Sequence, residues 1–326
     1  MQIWQAGILR RNWMLKAVVF IAAITVGTGA GYLYSVGLNP HSPVVHSSNN
    51  ISTNAVQSSE EANDSIKQTV SKLRDIKTDD MNPNIPLSAK PLLTRLKHQL
   101  RDLISETINA RNNQQQKPRR LRASIINELK SDGITVEEPK ETVDDENYVE
   151  TDYVYGDIYN IAIERPATHP DLIVATTTLG ICCGEDTSFY IFKNDGAQWK
   201  LVLGQETNDY DEISDAHSRF QYSISPPDNS NNFFVVTANV NPWCTSNWQQ
   251  IRYAVLTLGS GAYEPNTVLS GEDAIYLGDE QPYNIAVRVN GFTLSFDGES
   301  NLDEFVSGHS LKYKIDEGHA TLLQSR

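Results

Sequence analysis

The most reactive side chains in the chain are three cysteines. Cys182 and Cys183 are adjacent, and Cys244 follows in a similar sequence context. Neighbouring cysteines pair poorly with each other because the ring that would close is strained, so Cys244 is expected to bridge to Cys183 or to Cys182 if the two segments bring their Cα atoms to about 5.5 Å. That bond requires an oxidising compartment; the alternative is three buried thiols. As a soft-metal site the trio is incomplete, since no fourth ligand stands at a recognised spacing.

Oxygen ligands are densest in NDYDEISD, with Asp209, Asp211, Glu212 and Asp215. Carboxylates this close could hold Ca2+ outside a cell, and Asp209, Asp211 and Asp215 are the candidate ligands. However, Ile213 occupies a ligand position of an EF-hand loop and the turn glycine is missing, which favours a solvated loop and no resident cofactor. Tyr153, Tyr155, Trp243, Trp248 and Tyr253 fall near the cysteine segments or at strand ends. Exposed rings there could stack on sugar faces, although burial in a core is the commoner fate of such residues. No G-x-S-x-G, H-E-x-x-H, Walker loop or dinucleotide fingerprint occurs, and the seven histidines are scattered. The pattern therefore favours a binding domain over an enzyme, with no catalytic residue to nominate.

These groups must be positioned by elements of three kinds. The 326 residues begin with a basic end, residues 1–16, carrying Arg10, Arg11 and Lys16 and no acid. Residues 17–38 then run without a charge, a length of about 33 Å as a helix, enough to cross a bilayer core. Positive charge stays inside, so the expected topology is a cytoplasmic amino terminus, a single transmembrane helix, and all later residues periplasmic or extracellular. Thr28-Gly29-Ala30 offers a fair exit site for a signal peptidase, leaving a cleaved, secreted form as the alternative. Arg10-Arg11 resembles a twin-arginine export signal, but a simple inside anchor accounts for the same residues.

Residues 39–65 are rich in Ser, Asn and Gln and too poor in apolar groups to offset ordering entropy, which predicts a stalk. Residues 66–133 carry three apolar stripes at helical spacing: Ile66, Val70, Leu73 and Ile76; then Leu93 to Ile108, with Ser88 as N-cap; then Leu121, Ile125, Ile126 and Leu129, stopped at Gly133. Through Lys130 the chain holds 17 basic and 9 acidic residues; beyond it, 10 and 32, giving −14 overall. This asymmetry could steer the helices onto the acidic part of the same chain or onto an anionic lipid or wall polymer, or it could mark no more than solvated helix faces. A location outside the cytoplasm excludes nucleic acid as a partner.

Residues 150–326 alternate in the manner of antiparallel strands punctuated by Gly, Pro, Asn and Asp, with Asn194-Asp195-Gly196 marking a hairpin. A shift of 61 residues superposes YNIAIERPATHPDLIVATTTLGICC on FQYSISPPDNSNNFFVVTANVNPWC without a gap. Ile163 meets Ile224, Pro166 meets Pro227, Val174 meets Val235, Thr176 meets Thr237 and Cys183 meets Cys244. A repeated unit of about four strands has the size of a propeller blade. The expected fold is mainly β, an antiparallel sheet or sandwich of such units behind the transmembrane and helical segments, with a propeller-like arrangement as the alternative. The functional expectation is a membrane-anchored envelope protein whose β domain binds a protein or polymer partner without catalysis. The alternative is an exported protein that binds or processes carbohydrate.

Overall fold

The computed structural model describes residues 65–76, 84–110, 117–137, 140–143, 149–152, 154–181, 184–208, 210, 213–242, 247–277, 283–299, 305–316 and 318–325. The predicted transmembrane span and stalk lie outside them, and among the described residues no helix is long and apolar enough to cross a membrane.

Helices α1 (Ile66–Arg74), α2 (Ala89–Asn109) and α3 (Pro118–Ser131) form where the three apolar stripes predict them. Ser65 closes a capping box with Gln68 at the start of α1, satisfying two orphan donors. Ser88 stands at the start of α2 but makes no side-chain cap; there the Ala89 N–H donates to the Pro86 carbonyl instead. Pro118 opens α3, and Gly133 follows its end at φ +79°, a left-handed turn that a residue with a Cβ adopts only at a cost. The Leu93, Leu96, Leu100, Ile104 and Ile108 stripe of α2 is fully buried. Each such side chain contributes about 1.5–3 kcal/mol relative to an exposed position.

The strands are all antiparallel within their sheets. A short pair, β1 (Lys140–Val143) and β2 (Val149–Asp152), precedes a four-stranded meander of β3 (Ile158–Glu164), β4 (Leu172–Ile181), β5 (Gly184–Asn194) and β6 (Trp199–Gln205). The predicted turn joins β5 to β6: Asn194 Oδ1 accepts from the Gly196 N–H at 2.7 Å, and Asp195 Oδ1 from the Ala197 and Gln198 N–H groups. The second large sheet contains β7 (Ser218–Ile224), β8 (Val235–Val240), β9 (Trp248–Gly261), β10 (Glu264–Tyr276), β11 (Tyr283–Arg288), β12 (Gly291–Glu299), β13 (Phe305–Asp316) and β14 (His319–Ser325). Its order is β14-β13-β12-β10-β9-β8-β7, with β11 joined to β12. The sheet curls so that the Tyr283 hydroxyl at the start of β11 lies within reach of two carbonyls, that of Ala238 in β8 at 2.8 Å and that of Arg219 in β7, and can donate its proton to either.

Alternation along the strands creates three cores. One face of the four-stranded sheet, with Ile161, Ile173, Ala175, Tyr190 and Phe192, packs under the helices. Its other face, with Leu172, Val174, Phe189 and Ile191, meets Val235 and Leu256 of the eight-stranded sheet. The far face of that larger sheet buries Val236, Ala238, Ile251, Phe292 and Leu294 within its own curl. The two superposable sequence segments thus occupy different sheets that pack face to face, and Val174 and Val235 share one core. Their strand pairings differ by a step: Ile163 lies opposite Ala175, whereas Ile224 lies opposite Val235.

Candidate functional site

The middle sheet has a sealed side and an open side, and both are built around β5. On the helix side, Lys97 sits within the apolar stripe of α2 and reaches Asp186 on β5, both side chains being fully buried. The Lys97 Nζ donates to the Thr207 carbonyl at 2.6 Å and to the Tyr210 hydroxyl, which in turn donates to the Asp186 carboxylate. The other carboxylate oxygen accepts from the His217 backbone N–H at 2.8 Å and from the Thr207 hydroxyl at 3.2 Å. Burial alone would raise the Asp186 carboxyl, but the Lys97 ammonium outweighs it and holds the group below the usual carboxylate range. Burial lowers the His217 imidazole, keeping it neutral against the same network.

At the rim of the helix side, Glu206 accepts from the Tyr190 hydroxyl at 2.7 Å and from the Tyr263 hydroxyl at 3.3 Å, with His98 at 3.2 Å and Arg101 at 3.8 Å. Burial pushes its carboxyl up, and the bonds from His98 and Tyr190 bring it below the ordinary value. Tyr263 belongs to the β9–β10 hairpin and also accepts from the Arg101 guanidinium at 2.7 Å, so it pins that hairpin to α2. Arg74 likewise pairs with Asp157 at 2.6 Å. In these pairs, basic helix residues meet acids of the β region of the same chain. Such networks hold the elements in register.

On the other side of the same sheet the residue types change along the strand direction. Even positions of β4 run Leu172, Val174, Thr176, Thr178, and odd positions of β5 run Ile191, Phe189, Thr187, Glu185. Val174 pairs with Ile191 in the apolar half, and Thr178 with Thr187 in the polar half, their hydroxyls 3.0 Å apart. The apolar half is covered by the eight-stranded sheet. The polar half instead faces a groove of about 630 Å3, whose floor includes Asn160 and Glu164 of β3 and whose wall is β7 with Arg219, Phe220, Gln221 and Tyr222. This lies within the usual range for small-ligand sites.

Two carboxylates mark the ends of the groove. Glu185 accepts from the Arg219 backbone N–H at 3.0 Å. Burial raises its carboxyl above the normal value, against the opposing pull of the Arg219 bond and charge. Glu164 holds the Tyr222 hydroxyl, and burial together with that carboxylate keeps the phenol protonated far beyond neutral pH. Arg219 itself adopts φ +47°, an uncommon conformation for a residue with a side chain. Asn160 and Thr176 make no side-chain hydrogen bond among the described residues and share the groove face of β3 and β4, so their donors and acceptors are available there, whereas Gln221 lies on the face of β7 opposite Phe220 and Tyr222.

The residues singled out from sequence distribute differently. Tyr155 is buried in the helix-side core, and Tyr253 is buried in the curl with its hydroxyl 3.1 Å from that of Tyr313. Neither offers a ring for stacking, because the apolar periodicity of their own segments turns them inward. Trp248 is exposed at 39% and lies edge-on to Tyr276, away from the residues that line the groove. Asp215 stands 3.9 Å from Arg252, which already neutralises it, and among the described residues no group of three His, Cys, Asp or Glu converges as a metal site. Cys182, Cys183, Cys244, Tyr153, Trp243, Asp209, Asp211 and Glu212 lie outside the described residues. Their flanks touch, however: a Cβ built on Gly184 would stand 2.8 Å from the Pro242 ring, so the ends of the β4–β5 and β8–β9 connections meet.

Two features escaped the motif search. Lys97 carried a signal, since it interrupts an apolar stripe between Leu93 and Leu100, four residues after the first and three before the second. The groove carried another, in the switch from aliphatic residues to threonine on one face of β4. Comparison with models of protein families, with curated proteins and with solved structures finds no match to this chain.

Proposed function

We propose that this chain is a binding protein of the cell envelope, held by the apolar segment 17–38 with its β region outside the cytoplasm, and that it takes a polar partner in the groove beside β4 and β7. The observation that carries the reading is the half-covered face of the four-stranded sheet. Its apolar end is sealed by the second sheet, while its polar end, with Asn160 and Thr176 unengaged, is left open. A face with only a structural role would be covered along its length or solvated without a wall opposite it.

Three further elements belong to the same proposal. The two face-to-face meanders, β3–β6 and β7–β10, are descendants of one duplicated unit, supported by the 61-residue correspondence and by the shared core of Val174 and Val235. The meeting of Gly184 with Pro242 supports a disulfide from Cys244 to Cys183 or Cys182, closing the end of the sandwich nearest the groove. The uncharged run 17–38 supports a single-pass anchor.

Two measurements test the reading. Alkaline phosphatase, active only after export, is expected to be active when fused behind Arg326, and a cytoplasm-restricted reporter inactive there; the reverse pattern overturns the topology. For the groove, Asn160→Trp is expected to block capture of envelope components from a detergent extract while leaving the unfolding midpoint unchanged. Equal capture by this variant and the parent overturns the site.

A further inference from the structure

The chemistry of the groove restricts what it can hold. This inference rests on the groove reading above and names its ligand. The floor is formed by β3, β4 and β5, and β4 is hydrogen-bonded along both edges, to β3 and to β5. The backbone groups of β4 are therefore spent, and although β3 and β7 are end strands of their sheets, the centre of the floor offers no edge for strand addition. Recognition on the floor comes from side chains, and those that make no bond there are short and double-natured: the Thr176 hydroxyl and the Asn160 carboxamide each offer a donor and an acceptor. A ligand dense in hydroxyl groups, each also a donor and an acceptor, matches that set.

The charges narrow the class further. Glu164 and Glu185 face the groove against Arg219, the one cation among the described residues that line it, so a phosphate- or sulphate-bearing chain would meet two carboxylates. Ionised carboxylates are good acceptors for hydroxyl donors. Phe220 and Tyr222 are half-buried, tilted against Phe189, and still line the groove, which supplies an apolar surface for the C–H face of a pyranose ring. The geometry points to a neutral oligosaccharide as the ligand of this groove, its hydroxyls taken by Asn160 and Thr176 and one ring face resting on Phe220 and Tyr222.

The test uses the full chain in a detergent without a sugar headgroup, applied in parallel to an array of neutral and acidic oligosaccharides and to a peptide array. Titration calorimetry then follows with the best-bound neutral oligosaccharide. Binding of neutral sugars is expected, with Asn160→Ala and Thr176→Val each weakening the affinity by about tenfold. Both variants are expected to keep the parental unfolding midpoint, which separates lost contact from lost fold. Four outcomes overturn the inference. Peptide binding that these variants abolish, without sugar binding, removes the glycan class while leaving the groove as a site. Binding of acidic sugars alone removes the neutral class. Sugar binding indifferent to both variants removes the site assignment. No binding on either array removes the inference and the groove reading together.

Discussion

Glu185 and Asp186 are neighbours in one strand, yet they stand on opposite faces of a sheet and are pushed in opposite directions. Asp186 meets Lys97 under the helices and is held ionised; Glu185 meets the groove, where burial raises its carboxyl. The type of residue is nearly the same, so the difference comes from what covers each face. A helix brings a cation to one, and a gap between sheets leaves the other beside a backbone N–H and partly desolvated. The comparison separates two uses of buried polarity: a closed network that fixes the position of α2 on the sheet, and an unfinished one that leaves bonding capacity for a ligand.

The largest break in that comparison is expected at Lys97. Lys97→Met leaves the Asp186 charge buried without its partner and should cost about 3–5 kcal/mol, read from the urea unfolding midpoint. The double variant Lys97→Met with Asp186→Leu should recover most of that loss, because no charge then remains buried. A double variant as unstable as the single one would show that the site tolerates no repacking and that the pair is more than an ion pair in an apolar setting.

Tyr263→Phe should have a smaller effect, about 1 kcal/mol, through loss of its bonds to Arg101 and Glu206. Amide hydrogen exchange in the β9–β10 hairpin should rise more than in β4, since the lost bonds are the ones that tie the hairpin to α2 and Glu206.

The two neighbouring carboxylates should also part company with pH. A carboxyl raised in the folded state contributes stability that is fully present below its unfolded value and is lost as pH rises through the folded value. Glu185→Gln is therefore expected to stabilise the protein at pH 7, with the gain shrinking toward pH 4 as the parental glutamate protonates. Asp186 is lowered, so its contribution persists above the ordinary aspartate range and is lost only as pH falls through its folded value. Asp186→Asn should accordingly destabilise at pH 7, opposite in sign to its neighbour. Urea midpoints of both variants across pH 4–7 check the pair; a common sign would end the distinction between the faces.

The least effect is expected at the groove floor. Thr176→Val swaps a hydroxyl that bonds to no described group for a methyl, and the unfolding midpoint should move by no more than about 0.5 kcal/mol. A large loss would place Thr176 among the structural residues and weaken the case for a ligand.

Much of the architecture was legible because it depends on local periodicity. The three stripes of 66–133 fold as helices, and most strands from Ile158 to Val240 lie within a few residues of where alternation predicts them. Alternation marks β10 only at its end, Ala274–Leu277: the rest of Glu264–Tyr276 contains Pro265 and Gly271 and is largely exposed, so neither composition nor alternation marks it as a strand. It pairs along β9, and it is that pairing which makes it a strand. β14 was missed for a similar reason, since it lies at the sheet edge with Leu322 and Leu323 half exposed. Of the five aromatic residues considered as ligand platforms, the described ones are packed away from the groove, because sequence gives a ring's identity but not the face it turns to.

Sequence by itself determined the elements and their apolar faces, since the spacing of Leu, Ile and Val sets which side of a helix or strand must leave water. It also determined the charge imbalance between the helical and β regions. Only the tertiary structure decided that Lys97 would find Asp186 and that the polar end of one sheet face would remain uncovered. The physical reason is range: periodicity acts over a few residues, whereas 89 positions separate Lys97 from Asp186 and their contact exists only once the helices and the sheet have closed on a common core.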